Sequence, residues 1–245
     1  MSLSTQVKQY QAMDKWFLTP QGVRIAAAFN NELRHLDEDL YGKTLLQLGN
    51  CGENHWLKHM HYYRKWLLTP SQYIDNTTFV SPISDIPLDK HSVDCVIAPL
   101  SIEMLSLNDH LLIEMDRILK PMGHLVFLGV NPFSFYGLGL KWGRVPFLKD
   151  AISGLTSSLT LKRRLVRMGY RQVTHRNFYY IPPVTQSNTI HRLEFFNEVG
   201  KMLWPFPAGF YCLVVQKHQY NLAHFSQRVE SELLVETKPT MPIGN

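Results

Sequence analysis

The sequence predicts an α/β fold, with a doubly wound and mostly parallel sheet. From residue 44 onward, short apolar runs alternate with amphipathic helical segments, which is typical of βαβ units. The chain has 245 residues, of which 45% are hydrophobic and 18% are charged. This composition is that of an ordinary globular protein, and the length favours one large domain over two small ones.

Five apolar runs are the candidate strands of the parallel part of the sheet: 44–48, 63–68, 77–80, 93–98 and 124–130. The run 93–98 is apolar on both faces apart from Asp94, as expected of a central strand. Helical spacing predicts one helix over 22–40 and another over 111–119. For the second helix we expect Asn108 as the N-cap, with Pro121 and Gly123 as the stop signal.

The last third of the chain predicts two helices and two strands, and it brings the sheet to seven strands. We expect helices over 161–168 and 189–203, and strands over 172–178 and 209–215. The closing strand is expected to run antiparallel to its predecessor. The tail 218–245 is polar without periodicity, and we expect poor order there. The predicted organisation is therefore a helical segment 1–41 that packs on the core, a domain 42–217 and the tail.

Charge is unevenly distributed. The net charge is +5, and residues 151–193 contain no acidic residue but seven cations: Lys162, Arg163, Arg164, Arg167, Arg171, Arg176 and Arg192. A solvated helix face, an anionic substrate and nucleic acid each explain such a stretch. No zinc finger, RNP sequence or KH loop favours nucleic acid.

Several features predict a cytoplasmic protein that does not enter a membrane. The N-terminus is polar and has no secretory signal pattern, and no apolar run approaches the roughly 20 residues that span a bilayer. The three cysteines (Cys51, Cys95 and Cys212) are far apart and odd in number, which favours a reducing compartment. His55 and His59 share a helix face without a third ligand nearby, so no metal site is predicted.

A glycine turn follows the first predicted strand and marks the expected ligand site. Gly49-Asn50-Cys51-Gly52 lies where the carboxyl end of a parallel strand binds ligands in such sheets. Glycines there let backbone amides approach a ligand closely. The spacing is not GxGxxG, which counts against a nicotinamide dinucleotide.

Two later segments resemble class I S-adenosylmethionine-dependent methyltransferases that act on small molecules. Ile86-Pro87-Leu88 with Ser92-Val93-Asp94 resembles the "LPF…SFD" stretch of that family, and 114–123 resembles its "E-x-x-R-V-L-K-P-G-G" stretch. Both occur in order after the glycine turn. Further motifs, including Trp16-Phe17-x-Thr19-Pro20-x-Gly22 and Trp204-Pro205, extend the resemblance over about 14–217 to one bacterial branch with a methyltransferase domain.

The resemblance implies a seven-stranded methyltransferase fold, S-adenosyl-L-methionine as the cofactor and a small-molecule acceptor. The residues that it implies for the cofactor are Gly49, Asn50, Gly52, Asp85, Ile86, Ala98, Pro99 and Leu100. Beyond the fifth strand, the candidates for the acceptor side are Asn131, Ser134, Phe135 and Tyr136, with Trp204 as a wall.

Three acidic residues that are usual in this family have no counterpart in this sequence. Gln47 stands for the acid before the glycine turn, 67–69 contains none for the ribose, and Pro82 stands for the acid that faces adenine. These departures favour an alternative, in which the fold serves as a non-catalytic binding or regulatory module. The basic stretch keeps an RNA methyltransferase as a further alternative.

Overall fold

The computed structural model describes residues 3–36, 40–70, 77–107, 109–145, 148–184, 193 and 207–218. Within these ranges seven strands form one sheet: β1 (Tyr41–Leu48), β2 (His61–Thr69), β3 (Phe79–Val80), β4 (Val93–Pro99), β5 (Leu119–Val130), β6 (Tyr170–Phe178) and β7 (Phe210–Lys217). The helices of the same ranges are α1 (Leu3–Phe17), α2 (Pro20–Arg34), α3 (Trp56–His59), α4 (Ser101–Leu105), α5 (Asp109–Ile118), α6 (Phe135–Lys141), α7 (Leu148–Ala151) and α8 (Ser158–Arg167). No helix of the described ranges is long and apolar enough to cross a membrane.

The strand order confirms the predicted doubly wound fold. The order is β3-β2-β1-β4-β5-β7-β6. The first five strands pair in parallel, whereas β7 pairs antiparallel with both β5 and β6. The chain winds outward from β1 to β3 and then returns to place β4 on the other side of β1. The order therefore reverses between β1 and β4, which is where ligands bind in open α/β sheets.

The core lies on both faces of the central strands. Every residue of β4 is buried except the half-buried Asp94, as its apolar sequence predicts. Beyond the sheet, Phe29 of α2 packs edge-on against Phe178 and Phe210, with ring centroids 5.8 and 5.6 Å apart. These contacts attach α2 to the antiparallel part of the sheet.

The predicted elements recur with shifted ends. The helix expected over 22–40 is α2, which begins at Pro20 because the Thr19 hydroxyl caps it by accepting from the Gly22 amide, and which ends at Arg34. The helix expected over 111–119 is α5, and it ends at Ile118. Pro121 and Gly123 lie within β5 instead of stopping the helix, because pairing with Val93 already begins at Leu119.

The sequence predicts a helical segment over 1–41 but delimits only one helix within it, over 22–40. The polar segment that begins the chain forms α1, whose buried face includes Gln6, Gln9, Tyr10 and Met13. The predicted N-cap Asn108, the helix 189–203 apart from Leu193, and the tail from residue 219 lie outside the described residues.

Candidate functional site

The candidate site is the edge of the sheet at the carboxyl ends of β1 and β4. Gly49 directly follows β1 and has a φ of +82°, a conformation that glycine adopts without strain. Leu100 directly follows β4 with a φ of +52°, and its amide donates to the Leu128 carbonyl at 2.7 Å. Both turns therefore lie at the point where the strand order reverses, and Gly49 and Leu100 are buried there.

The buried side chain of Gln47 stabilises the glycine turn through hydrogen bonds. Its side-chain nitrogen donates to the Gly49 carbonyl at 2.9 Å and to the Asn54 side-chain oxygen at 2.7 Å. Its side-chain oxygen accepts from the Trp56 indole at 2.8 Å. The Asn54 oxygen also accepts from the Cys51 amide at 3.0 Å. The residue that replaces the family's acid is thus fully buried and fully hydrogen-bonded within the protein.

Helix α1 lies directly on this turn. The Tyr10 ring is in such close contact with Gly49 that any side chain at position 49 would overlap it. One turn further along α1, the Asp14 carboxylate accepts from the Asn50 side-chain amide at 3.2 Å. Burial raises the pKa of Asp14 to about 6, against the opposing effect of that hydrogen bond.

The other end of α1 lies on the loop that follows β3. The side-chain oxygen of Gln6 accepts from the Ile83 amide at 3.1 Å, and its side-chain nitrogen donates to the Ser84 hydroxyl at 3.3 Å. Gln6 is 1% exposed, so these bonds are formed away from solvent. Between the two ends, the Gln9 side chain donates to the Ser153 hydroxyl.

The predicted adenine residues lie beside this loop, but their polar groups point elsewhere. The Ile86 amide donates to the Glu114 carboxylate at 2.9 Å, and the Ile86 carbonyl accepts from Arg117 at 2.8 Å. Asp85 is exposed, and its charge acts on Arg117. The residues of this loop that Gln6 binds are therefore Ile83 and Ser84, and not the predicted Asp85 and Ile86.

The remaining cofactor candidates line the same edge. Ala98, Pro99 and Leu100 are buried where β4 ends, and Gly52 has a φ of +63° in the glycine turn. The turns thus have the shape for close approach of a ligand. S-adenosylmethionine does not fit against Gly49 in this arrangement, however, because the Tyr10 ring covers that surface.

The acceptor-side candidates have structural partners of their own. The Ser134 hydroxyl caps α6 by accepting from the Gly137 amide at 3.0 Å, and it donates to the Asn131 carbonyl at 2.7 Å. The Asn131 side chain accepts from the Phe133 amide at 3.1 Å. Tyr136 is fully buried, its ring centroid lies 4.8 Å from that of Phe210, and its hydroxyl has no hydrogen-bond partner. Phe135 is half-buried in α6, and Trp204 lies outside the described residues.

Glu103, whose position after the fourth strand predicts a base, an acceptor-binding group or a surface residue, is a buried carboxyl group between the ends of β4 and β5. One of its oxygens accepts from the Val130 amide at 2.9 Å and from the Tyr211 hydroxyl at 3.4 Å. The other oxygen is buried, and it has no hydrogen-bond partner among the residues that the structure describes. Burial raises the pKa of Glu103 to about 8. The position after the fourth strand was the only signal for this residue in the sequence.

A surface pocket of about 230 Å³ lies beside the segment that covers Glu103. It is lined by Leu140, Lys141, Lys149, Ile152, Ser153, Gly154 and Leu155. The amides of Ser153 and Gly154 donate to the Glu103 carbonyl at 2.8 and 3.0 Å. The pocket combines an apolar lining with two cations.

The basic stretch is partly neutralised where the structure describes it. Arg164 of α8 pairs with Asp109 at 2.8 Å, and Arg176 of β6 pairs with Glu32 at 3.7 Å. Arg163, Arg167 and Arg171 are exposed. Of the six cations of this stretch that the structure describes, Arg164 and Arg176 therefore form ion pairs within the fold.

Comparison with known proteins gives a family match and many structural neighbours. A methyltransferase domain family matches residues 58–127. A chain from the complex of the Haloferax volcanii Trm112 methyltransferase activator with a methyltransferase is 17% identical, with a TM-score of 0.58, over 84% of this chain and 98% of that one. A Thermotoga maritima S-adenosylmethionine-dependent methyltransferase is also 17% identical with a TM-score of 0.58, over 83% and 93%.

A third neighbour was solved with ligands. The geranyl diphosphate C-methyltransferase from Streptomyces coelicolor, in complex with Mg²⁺, geranyl diphosphate and S-adenosyl-L-homocysteine, is 17% identical with a TM-score of 0.54, over 79% of this chain and 80% of that one. No curated protein matches the sequence. At these identities the neighbours establish the fold alone, and the matched domain covers 58–127 of the chain. Residues 58–127 thus match a methyltransferase domain, and the chain has the fold of the S-adenosylmethionine-dependent methyltransferases to which it is similar.

Proposed function

We propose that this protein transfers a methyl group from S-adenosylmethionine to a small-molecule acceptor. The observation that carries the proposal is the glycine turn at the switch point of the sheet, in a chain whose residues 58–127 match a methyltransferase domain. We assign the methionine part of the cofactor to Gly49, Asn50 and Gly52, and the sulfonium side to 98–100. The cofactor supplies an activated methyl group, so the protein's task is to hold the acceptor and to manage its proton.

On the acceptor side we propose Glu103 in place of Asn131 and Ser134. Asn131 and Ser134 already satisfy backbone groups of their own loop and of α6. Glu103 keeps one carboxyl oxygen without a partner, at the same edge of the sheet as the glycine turn. Burial raises its pKa to about 8, so the ionised fraction of this carboxyl near neutral pH can take up the proton that the acceptor loses when it is methylated.

The pocket whose lining residues Ser153 and Gly154 bond the Glu103 main-chain carbonyl supports an acceptor that carries negative charge. Its lining includes Lys141 and Lys149 among apolar side chains, and its volume suits a small molecule better than a polymer. Three free and buried cysteines support the cytoplasm as the location of the reaction.

Calorimetric titration with S-adenosylmethionine and S-adenosylhomocysteine tests cofactor use. We expect saturable binding of both. Labelled S-adenosylmethionine is then incubated with the protein and a cell extract that has been separated into small molecules and RNA. Label in the small-molecule fraction supports the proposal, and the Glu103→Gln variant should lower that transfer at least tenfold while its cofactor affinity stays unchanged.

Two results contradict the proposal in different ways. If the label enters only RNA, with an affinity that falls steeply as salt rises, the exposed arginines of α8 and β6 bind the substrate and the acceptor assignment is wrong. If a folded protein binds neither form of the cofactor, the fold serves as a non-catalytic binding or regulatory module.

A further inference from the structure

Helix α1 lies along the full length of the predicted cofactor cleft. Its buried face contacts the loop after β3 through Gln6, Ser153 through Gln9, and the glycine turn through Tyr10 and Asp14. The two ends of this contact line are the two ends of the site that sequence predicts for the cofactor. The helix thus covers the adenine end and the methionine end together.

At the adenine end, Gln6 presents the same hydrogen-bonding pattern as an adenine base. Its carboxamide places an acceptor oxygen beside an NH₂ donor, as adenine places its acceptor N1 beside its N6 amino group. The acceptor takes the Ile83 amide at 3.1 Å, and the donor bonds the Ser84 hydroxyl at 3.3 Å. A backbone amide that is already paired with Gln6 is not available to a base.

At the methionine end, an aromatic ring covers the glycine turn. The Tyr10 side chain is 3% exposed and fills the space that the missing side chain of Gly49 leaves open. Asn50, the next residue of the turn, uses its side-chain amide on Asp14 at 3.2 Å. The surface that a ligand needs is therefore occupied at both ends by side chains of one helix.

We infer that α1 is an intramolecular occupant of the cofactor cleft, which must leave the cleft before S-adenosylmethionine binds. This inference rests on the proposed function. The C-terminal end of α1 is the natural pivot, because Trp16 and Phe17 are fully buried there and the Thr19 hydroxyl bonds the Trp16 carbonyl at 2.6 Å. The preceding turns bury Gln6, Gln9, Tyr10 and Met13.

A pair of matched variants tests this competition by calorimetry with S-adenosylhomocysteine. Gln6→Ala removes the hydrogen bonds at the adenine end, so the cofactor no longer competes with them, and we expect about fivefold tighter binding. Gln11→Ala makes the same change on the exposed face of the same helix and should leave the affinity unchanged. Tyr10→Ala, which frees the surface of Gly49, should also bind more tightly than the wild type.

Hydrogen exchange gives a second measurement. It distinguishes a helix α1 that leaves the cleft from one that closes over the bound cofactor, because the exchange rate changes in opposite directions. If α1 leaves the cleft, S-adenosylhomocysteine should speed the exchange of amides in the first turns of α1 and leave those around Trp16 unchanged. Slower exchange in those turns would mean that α1 closes over the bound cofactor, and that outcome overturns the inference.

The inference and the proposed function fail in distinguishable ways. If the wild type binds S-adenosylhomocysteine and Gln6→Ala binds it equally or more weakly, α1 does not compete with the cofactor. The methyltransferase assignment then still holds. Absence of binding by the wild type, Gln6→Ala and Tyr10→Ala, each shown to be folded, overturns both, because freeing the cleft would not have restored a cofactor site.

Discussion

At the scale of single residues, the glycine turn is shaped by a glutamine where the methyltransferases that the sequence resembles usually have an acid. Gln47 both donates, to Gly49 and Asn54, and accepts, from Trp56. A carboxylate can only accept, so it would face two oxygen atoms with no proton between them. The departure at position 47 is therefore integral to the way this turn is held.

Restoring the acid should weaken the protein. Gln47→Glu is expected to lower the free energy of unfolding by at least about 2 kcal/mol at neutral pH, because a buried carboxylate loses its donor role. Urea unfolding measures this, with the exposed Gln11→Glu as the control that should change little. Equal stability of the two variants would contradict the hydrogen-bond arrangement described for the turn.

The buried carboxyl of Glu103 predicts a pH-dependent stability. Its pKa rises from 4.5 to about 8 on folding, so between these values the folded protein keeps a proton that the unfolded chain has lost. Stability should therefore fall as pH rises through this window, with a slope of up to about 1.4 kcal/mol per pH unit from this group.

The Glu103→Gln variant isolates the contribution of Glu103 to the pH dependence of stability. The carboxamide keeps the acceptor for the Val130 amide and does not titrate, so its unfolding free energy should decline less between pH 5 and pH 8 than that of the wild type. Urea unfolding at several pH values measures the difference. Parallel curves for the two proteins would show that Glu103 is ionised in the folded state.

At the scale of elements, the sequence predicts strands better than it predicts the helix that covers the site. The run 93–98 reads as a buried strand because its side chains are apolar on both faces, and β4 confirms it. Helix α1 has the right spacing at positions 6, 9, 10 and 13, but two of these are glutamines. Apolar periodicity cannot reveal a helix that buries polar side chains against polar loops.

The sequence also predicts the glycine turn, but it does not predict that Tyr10 covers this turn. Gly49 is recognisable from its place after a strand, whereas the Tyr10 contact joins residues that are far apart in the chain. Glu103 was equally hard to select, because its burial depends on Tyr211 and on the segment around Ser153. Sites assembled from distant segments therefore require the fold before their residues can be chosen.

The junction of α1 and α2 predicts a sensitive glycine. A side chain at Gly22 would overlap the Trp16 carbonyl, which the Thr19 hydroxyl also bonds. Gly22→Ala should therefore push the two helices apart and lower the unfolding free energy by about 1–3 kcal/mol. Gly154→Ala meets only one atom, at 3.5 Å, and serves as the control that should be nearly neutral. Thermal unfolding of both variants measures the contrast.

At the scale of the whole molecule, the last strand of the described sheet is inserted between two earlier strands. β7 lies between β5 and β6, and its residues Phe210 to Val215 are buried. The doubly wound and mostly parallel character of the sheet followed from the family resemblance and the alternating pattern. The insertion of the final strand between two earlier ones depends on long-range antiparallel pairing, which local sequence does not encode.

Truncation tests this arrangement together with the proposed division of the chain at residue 217. A chain that ends at Gly209 lacks β7 and should lose its cooperative thermal transition, because β5 and β6 both lose their partner. A chain that ends at His218 keeps every strand and should unfold near the wild-type temperature. A large loss of stability in the chain that ends at His218 would show that the tail packs on the domain.

The seating of α1 across the cleft also has a consequence for the rate of cofactor association. If the cleft opens only when the helix departs, the observed rate cannot exceed the rate of departure. Stopped-flow traces at rising S-adenosylhomocysteine concentration should then approach a plateau instead of rising linearly, and Gln6→Ala should raise that plateau. The protein would thus respond to its cofactor at a pace set by its own first helix.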